Sequence, residues 1–214
     1  LEIAHSPLAR AAGTAEVAAE AIGRASGLRP AMRADVDLSE LAQGGWEGRR
    51  REDIEADDGA LLAAWRRDPL QANAPGGERV IDAAVRARAA VDRAVAGLAV
   101  AAAGSPTAPS SPGLASSRSR PAVSGYPGPG TPDAPWTLLV GHDGVFKLVL
   151  LTLLGLPLER FWTFPFALCG LTIVELRDGR GVLRAHNLVE HLAPLAEEPR
   201  AEAEAADREA SGAL

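Results

Sequence analysis

An α/β fold of three layers, with a largely parallel sheet between helices, is predicted from three observations. Short apolar runs alternate with longer stretches of helical periodicity, the pattern of strands joined through helices. Glycine-containing turns follow directly on the apolar runs. Aromatic residues make up only 4% of the chain, so the core must be built from Leu, Val, Ile and Ala.

The elements follow in order. Residues 1–4 are a short apolar strand end. Ser6-Pro7 starts a helix, Ser being a preferred cap and Pro being favoured at the first helical position. Leu8, Ala11, Ala15, Ala18, Ala19 and Ile22 keep helical spacing, and Gly23 or Gly27 ends the helix. Residues 34–38 are a weaker strand. Pro75-Gly76-Gly77 is a turn. Val80, Ala84, Ala87, Val91, Val95 and Leu98 then mark one face of a long helix. Residues 136–140 form a continuous apolar strand of the kind buried on both faces. Gly141-His142-Asp143-Gly144 turns into an apolar helix over 145–154. Residues 171–176 and 181–185 are strands joined by the hairpin signal Asp178-Gly179.

Hydrophobic residues are 47% and charged residues 23% of the 214 residues, values typical of a folded domain rather than a disordered chain. The net charge of −6 argues against a general nucleic-acid partner, which needs a basic face. The single cysteine excludes a disulfide framework and a cysteine zinc cluster, and points to a reducing, cytoplasmic compartment. No membrane association is expected, because the greasiest run, 145–158, contains Lys147 and is broken by Gly155 and Pro157. The chain opens on Leu1 and its only methionine is Met32, so a fragment or a processed product is expected.

Two shifts in composition divide the chain. Residues 104–135 hold 8 Pro, 5 Gly and 7 Ser. Such a segment buries too little apolar surface to offset its ordering entropy, and is expected to be a disordered insertion. Residues 194–214 carry six acids against Arg200 and Arg208, an acidic solvated tail. What remains is one domain over 1–193, interrupted by the insertion.

Chemistry can sit in three places. His142 follows a buried strand and opens a helix. Ligands of open α/β sheets bind beyond the carboxyl ends of strands, and helix N-termini attract anions. A histidine there can meet a phosphate, or it merely closes the turn. Arg10 lies just past the first strand, and its guanidinium can grip two phosphate oxygens, or it is a surface Arg of an amphipathic helix. Glu40 precedes a loop with three glycines around Trp46. A carboxyl group there could protonate a leaving oxygen, or it is a solvated acid. His5, His186 and His191 show no metal-site spacing, so no metal or other cofactor is expected. Cys169 is expected to be a small buried apolar residue.

Taken in order, these pieces resemble the histidine phosphatase superfamily, the phosphoglycerate-mutase-like proteins. Ser6-Pro7-Leu8-Ala9-Arg10-Ala11 with Thr14-Ala15 is similar to its SPLxRAxxTA motif. Glu40-Leu41 with Gly44-Gly45-Trp46-Glu47-Gly48 is similar to its acid loop. Pro75-Gly76-Gly77-Glu78 with Arg86 resembles its PGGES…R segment, with Arg79 in place of Ser. Leu139-Val140-Gly141-His142-Asp143-Gly144 resembles its second-histidine motif. Asn187 and His191-Leu192 resemble its C-terminal pattern.

The resemblance implies a phosphoglycerate-mutase-like fold and a phosphomonoester hydrolase working through a phosphohistidine, on a small phosphorylated substrate and without a metal. It implies that Arg10 and His142 bind phosphate, that His142 stabilises the transferring group and that Glu40 is the catalytic acid and base. The family's nucleophile stands in an Arg-His-Gly motif on its first strand, and these 214 residues contain no such motif. The first strand is therefore expected to be missing, leaving raw sheet edges that favour self-association. Two alternatives accompany the hydrolase reading: a mutase-type isomerase of the same fold, and a non-catalytic derivative that binds a phosphate ligand or a protein.

Overall fold

In the computed structural model of the chain, residues 2–104 and 135–195 are described. Of the expected insertion and acidic tail, residues 105–134 and 196–214 lie outside the described residues. The elements are β1 (Glu2–His5), α1 (Ala9–Ser26), β2 (Ala31–Ala34), α2 (Arg51–Arg67), α3 (Val80–Gly104), β3 (Thr137–Val140), α4 (Asp143–Leu154), β4 (Leu171–Arg177) and β5 (Arg180–Leu188).

β1 is the middle of a three-stranded parallel sheet of order β2-β1-β3. Its register is flush: His5 stands level with Ala34 on one side and Val140 on the other. The three chain segments that follow, at Ser6, Asp35 and Gly141, therefore leave the sheet along one edge. Side chains alternate across it, as the strand period of two requires. Ile3, Leu138 and Val140 pack on Ala11 and Ala15 of α1. Ala4 and Leu139 face the larger core, where Val80, Ala83, Ala87, Ala90 and Val91 of α3 meet Val145, Leu148 and Val149 of α4. Helices thus cover both faces, and the three-layer expectation holds. The alanines of α3 leave room for α4, which is buried along most of its length.

Several local expectations are corrected. α1 begins at Ala9, not at Ser6, and no side chain caps it. Ser6 Oγ instead accepts from Leu8 N at 3.2 Å and faces His142. Gly27, at φ 73°, ends the helix. The second strand is Ala31–Ala34 rather than 34–38, and Val36–Leu38 is a 3₁₀ turn. Asp35 causes the break: its carboxylate accepts from Asp37 N and holds Arg33 and Arg93. The 136–140 run packs on both faces as expected, through Leu138 and Val140 on α1 and Leu139 on the α3 and α4 core, but it lies at a sheet edge and its first residue is outside the strand. Trp136 is 55% exposed, and β3 pairs only with β1 among the described residues. α4 starts two residues earlier than expected, at Asp143. Cys169 is exposed rather than buried, on a backbone with φ 56°.

The hairpin β4–β5 forms as expected about Asp178-Gly179, and makes a sheet of its own. α2 has no counterpart in the sequence expectations. Its Leu62 buries against Trp46 and Ala74, with Ile54, Leu61 and Trp65 packed around them. The loop carrying Trp46 is fixed to α2 by a hydrogen bond from Trp46 Nε1 to Asp58 Oδ2, 2.9 Å long. Gly44 of that loop, at φ 48°, lies so close to the Pro75–Gly77 turn that a Cβ would fall 2.4 Å from Gly77 N.

Candidate active site

The flush sheet gathers Arg10, Glu40 and His142 at the carboxyl end of its strands. Each arrives differently. Arg10 stands in the first turn of α1, Glu40 follows the turn after β2, and His142 is the N-cap residue of α4, extended at φ −132° and ψ 165°.

His142 is buried and held at both ring nitrogens. Arg10 Nε donates to its Nδ1 at 3.2 Å. Its Nε2 lies 2.8 Å from Ser6 Oγ. Arginine has no acceptor, so Nδ1 must be the unprotonated nitrogen and Nε2 carries the hydrogen, donated to Ser6. The ring is therefore neutral here. Burial, and then the Arg10 charge, hold the His142 imidazolium below its ordinary range, against a smaller opposing pull from Glu40. A phosphate dianion drawing Arg10 away would reverse that balance.

Glu40 closes the N-terminus of α4. Its Oε1 accepts from Leu41 N at 2.8 Å and Val145 N at 3.2 Å, and its Oε2 accepts from Gly144 N at 3.3 Å. The first N–H groups of a helix have no partner within it and favour a negative group. The contact needs glycine at 144, because a Cβ there would lie 2.6 Å from Glu40 Oε1. His142 and Glu40 thus flank one helix end, and Arg10 supplies a guanidinium beside them. The arrangement can accept an anion, orient it with a cation and an imidazole, and offer a carboxyl group for proton transfer.

The remaining histidines do other work. His5, beside the site at the end of β1, donates from Nδ1 to Ser6 O at 2.9 Å. His186 bridges Thr172 Oγ1 and Pro165 O, with Phe164 and Phe166 edge-on to its ring. His191 is exposed. Among the described residues no three His, Cys, Asp or Glu side chains are gathered as a metal ion would need.

Two contributions were missed in the sequence. Ser6 reads as a helix cap, and its contact with His142 spans 136 positions. Arg86 and Glu78 carried no role. Their ion pair sits under the Glu40 loop, and the signal was their place together in the Pro75-Gly76-Gly77-Glu78 with Arg86 resemblance.

The sequence profile of the histidine phosphatase superfamily (branch 1) matches residues 2–101 and 110–189. No curated protein matches the chain in sequence. Among solved structures, a mycobacterial glucosyl-3-phosphoglycerate phosphatase in complex with VO3 is similar at 26% identity and TM-score 0.63, over 88% of this chain and 77% of that one. A protein described as mycobacterial hydrolase 1 is similar at 26% identity and TM-score 0.62, over the same shares of the two chains. The α-ribazole phosphatase from Shigella flexneri shares the fold at 22% identity and TM-score 0.57, over 87% of this chain and 73% of that one.

Proposed function

This chain belongs to the histidine phosphatase superfamily, and from that premise we propose that it is a phosphomonoester hydrolase whose phosphoryl site lies between Arg10, His142 and Glu40. Arg10 and His142 hold the phosphoryl oxygens, and Glu40 gives its proton to the leaving oxygen. The nucleophile is a histidine in an Arg-His-Gly strand, which the 214 residues do not contain. Its nitrogen attacks phosphorus, the P–O ester bond breaks, and the proton of Glu40 goes to the departing alcohol. Water then attacks the phosphohistidine, its proton passes to Glu40, and phosphate leaves. Positive charge and positioning supply most of the acceleration in such a transfer.

The observation that carries this reading is the Arg10–His142 hydrogen bond beside a helix end already occupied by a carboxylate. The relatives support a small phosphorylated substrate: the mycobacterial neighbour is a glucosyl-3-phosphoglycerate phosphatase. The test is hydrolysis of p-nitrophenyl phosphate by the chain extended upstream with an Arg-His-Gly strand. Phosphate release that is lost in His142→Ala is expected. An extended chain that folds, binds vanadate and releases no phosphate would overturn the hydrolase and leave a phosphate-binding protein.

A further inference from the structure

Every donor of the Arg86 guanidinium is engaged. Nε donates to Glu78 Oε1 at 2.7 Å and Nη2 to Glu78 Oε2 at 2.6 Å, a two-pronged ion pair. Nη1 donates to the carbonyls of Asp37, at 2.9 Å, and Ser39, at 2.7 Å. The second hydrogen of Nη2 reaches the carbonyl of Glu40 at 3.3 Å. An arginine has five N–H donors in a fixed plane, and here all have acceptors. Three of them are consecutive or near-consecutive carbonyls of the segment that delivers Glu40. Glu78 completes the ring from the other side, since its own N–H donates to Ala42 O at 2.9 Å.

That segment is held at its two ends: Leu38 N and Ser39 N donate to Asp35 O and Val36 O, Arg93 grips the Asp37 carboxylate, and Ala42 O accepts from Glu78 N. Leu38 and Leu41 are buried and anchor it to the core, but Ser39 and Glu40 between them are half-buried. The Glu40 side chain must nevertheless meet two backbone N–H groups at the end of α4. The Arg33–Asp35–Arg93 cluster ties down the start of the turn, and touches neither Glu40 nor its carbonyl. Among the described residues, Arg86 is the side chain that binds the carbonyls of Asp37, Ser39 and Glu40 together.

We infer that Arg86, locked by Glu78, is the positioning residue of Glu40: it sets the carbonyls of Asp37, Ser39 and Glu40 so that the carboxylate reaches Gly144 and Val145 at the α4 end. A lysine cannot replace it. Its single ammonium has no planar fork with which to grip the Glu78 carboxylate and three carbonyls together. The role rests on the reading of Glu40 as the proton donor, while the geometry it enforces does not.

The test uses the 214-residue chain and needs no turnover. The amide resonances of Gly144 and Val145 are followed by NMR through the acid titration of Glu40, the step being identified by its absence in Glu40→Ala. In the wild type both amides move with that step. In Arg86→Ala and Arg86→Lys the step is expected to vanish from Gly144 and Val145 while the amides of β1 and α3 keep their positions. Arg33→Ala, which also removes a part-buried ion pair, is expected to keep it. Persistence of the step in folded Arg86→Ala would overturn the inference, as would its loss in Arg33→Ala. Failure of the extended chain to hydrolyse phosphate esters, with the step behaving as expected, would remove the hydrolase and leave the positioning intact.

Discussion

Arg10 Nε donates a hydrogen bond to His142 Nδ1 across 3.2 Å. A permanent cation therefore feeds the ring nitrogen that would have to take up a proton for the imidazole to become charged. The pair is stable only while the ring is neutral. Under the proposed function, an incoming phosphoryl group would change both partners: it would offer Arg10 a better acceptor and reward a second proton on His142.

Arg10→Ala frees Nδ1 and removes the neighbouring charge. The His142 resonance is expected to titrate at higher pH than in the wild type, as followed by NMR of the ring protons. Phosphate and vanadate affinity should fall about 10- to 100-fold in calorimetry, the loss of one or two hydrogen bonds from a charged group. An unchanged His142 titration would mean that the two side chains do not interact in solution.

Glu40→Gln should separate binding from chemistry. It removes a negative charge from the end of α4, so the chain is expected to bind vanadate more tightly. It also removes the transferable proton, and turnover of alkyl phosphates by the extended chain should fall on the order of 10²-fold or more, the usual contribution of a general acid. Unchanged vanadate binding in this variant would place the carboxylate away from the phosphoryl oxygens.

Gly144→Ala puts a Cβ 2.6 Å from Glu40 Oε1. The backbone there is ordinary helix and alanine suits it, so urea unfolding should stay within about 1 kcal/mol of wild type. The carboxylate must move, and alkyl phosphate turnover should drop as it does in Glu40→Gln. A large loss of stability without loss of turnover would contradict the packing described.

Stability should fall in two acid steps. His142 has a lowered affinity for protons in the folded state, so the unfolded chain is protonated first. The favourable contribution of the neutral ring is present above the ordinary value of 6.5 and is lost as pH falls below it. Asp35 behaves similarly at lower pH. Burial works to raise its carboxyl, but hydrogen bonds from Arg93 and Arg33 outweigh that and hold it below the ordinary 3.8. Its contribution is present above that value and is lost as pH falls through the folded value. Urea midpoints between pH 8 and pH 2 should show both declines, and Asp35→Asn should abolish the lower one and cost about 2 kcal/mol at neutral pH, as charged hydrogen bonds do.

Much of this was legible from local pattern. The α3 face from Val80 to Leu98, the hairpin at Asp178-Gly179 and the strand–turn–helix at 137–154 all follow from apolar periodicity and turn chemistry, which act over a few residues. The gathering of Arg10, Glu40 and His142 was legible only through motif order, because nothing local brings position 10 to position 142. Three features resisted for physical reasons. Asp35 ends β2 through ion pairs to residues as far away as Arg93. α2 is held by Trp46 and Ala74, partners outside its own periodicity. Arg86 was legible as a member of a motif but not as a partner of Glu40, because its guanidinium reaches carbonyls 46 to 49 positions away in the chain.

The parallel pairing of β1 with β3 joins chain positions about as distant as the described fold contains, from Glu2 to Thr137 and from His5 to Val140. Helices α1, α3 and α4 need only neighbours along the chain to begin forming, whereas this pairing waits for a long loop to close. The proposed phosphoryl site is incomplete before it closes, since Ser6 and Arg10 come from one side of that closure and His142 from the other. Recovery of vanadate binding during refolding is therefore expected to time this long-range closure rather than the first collapse, and a compact helical state that has not made it should not bind the ligand.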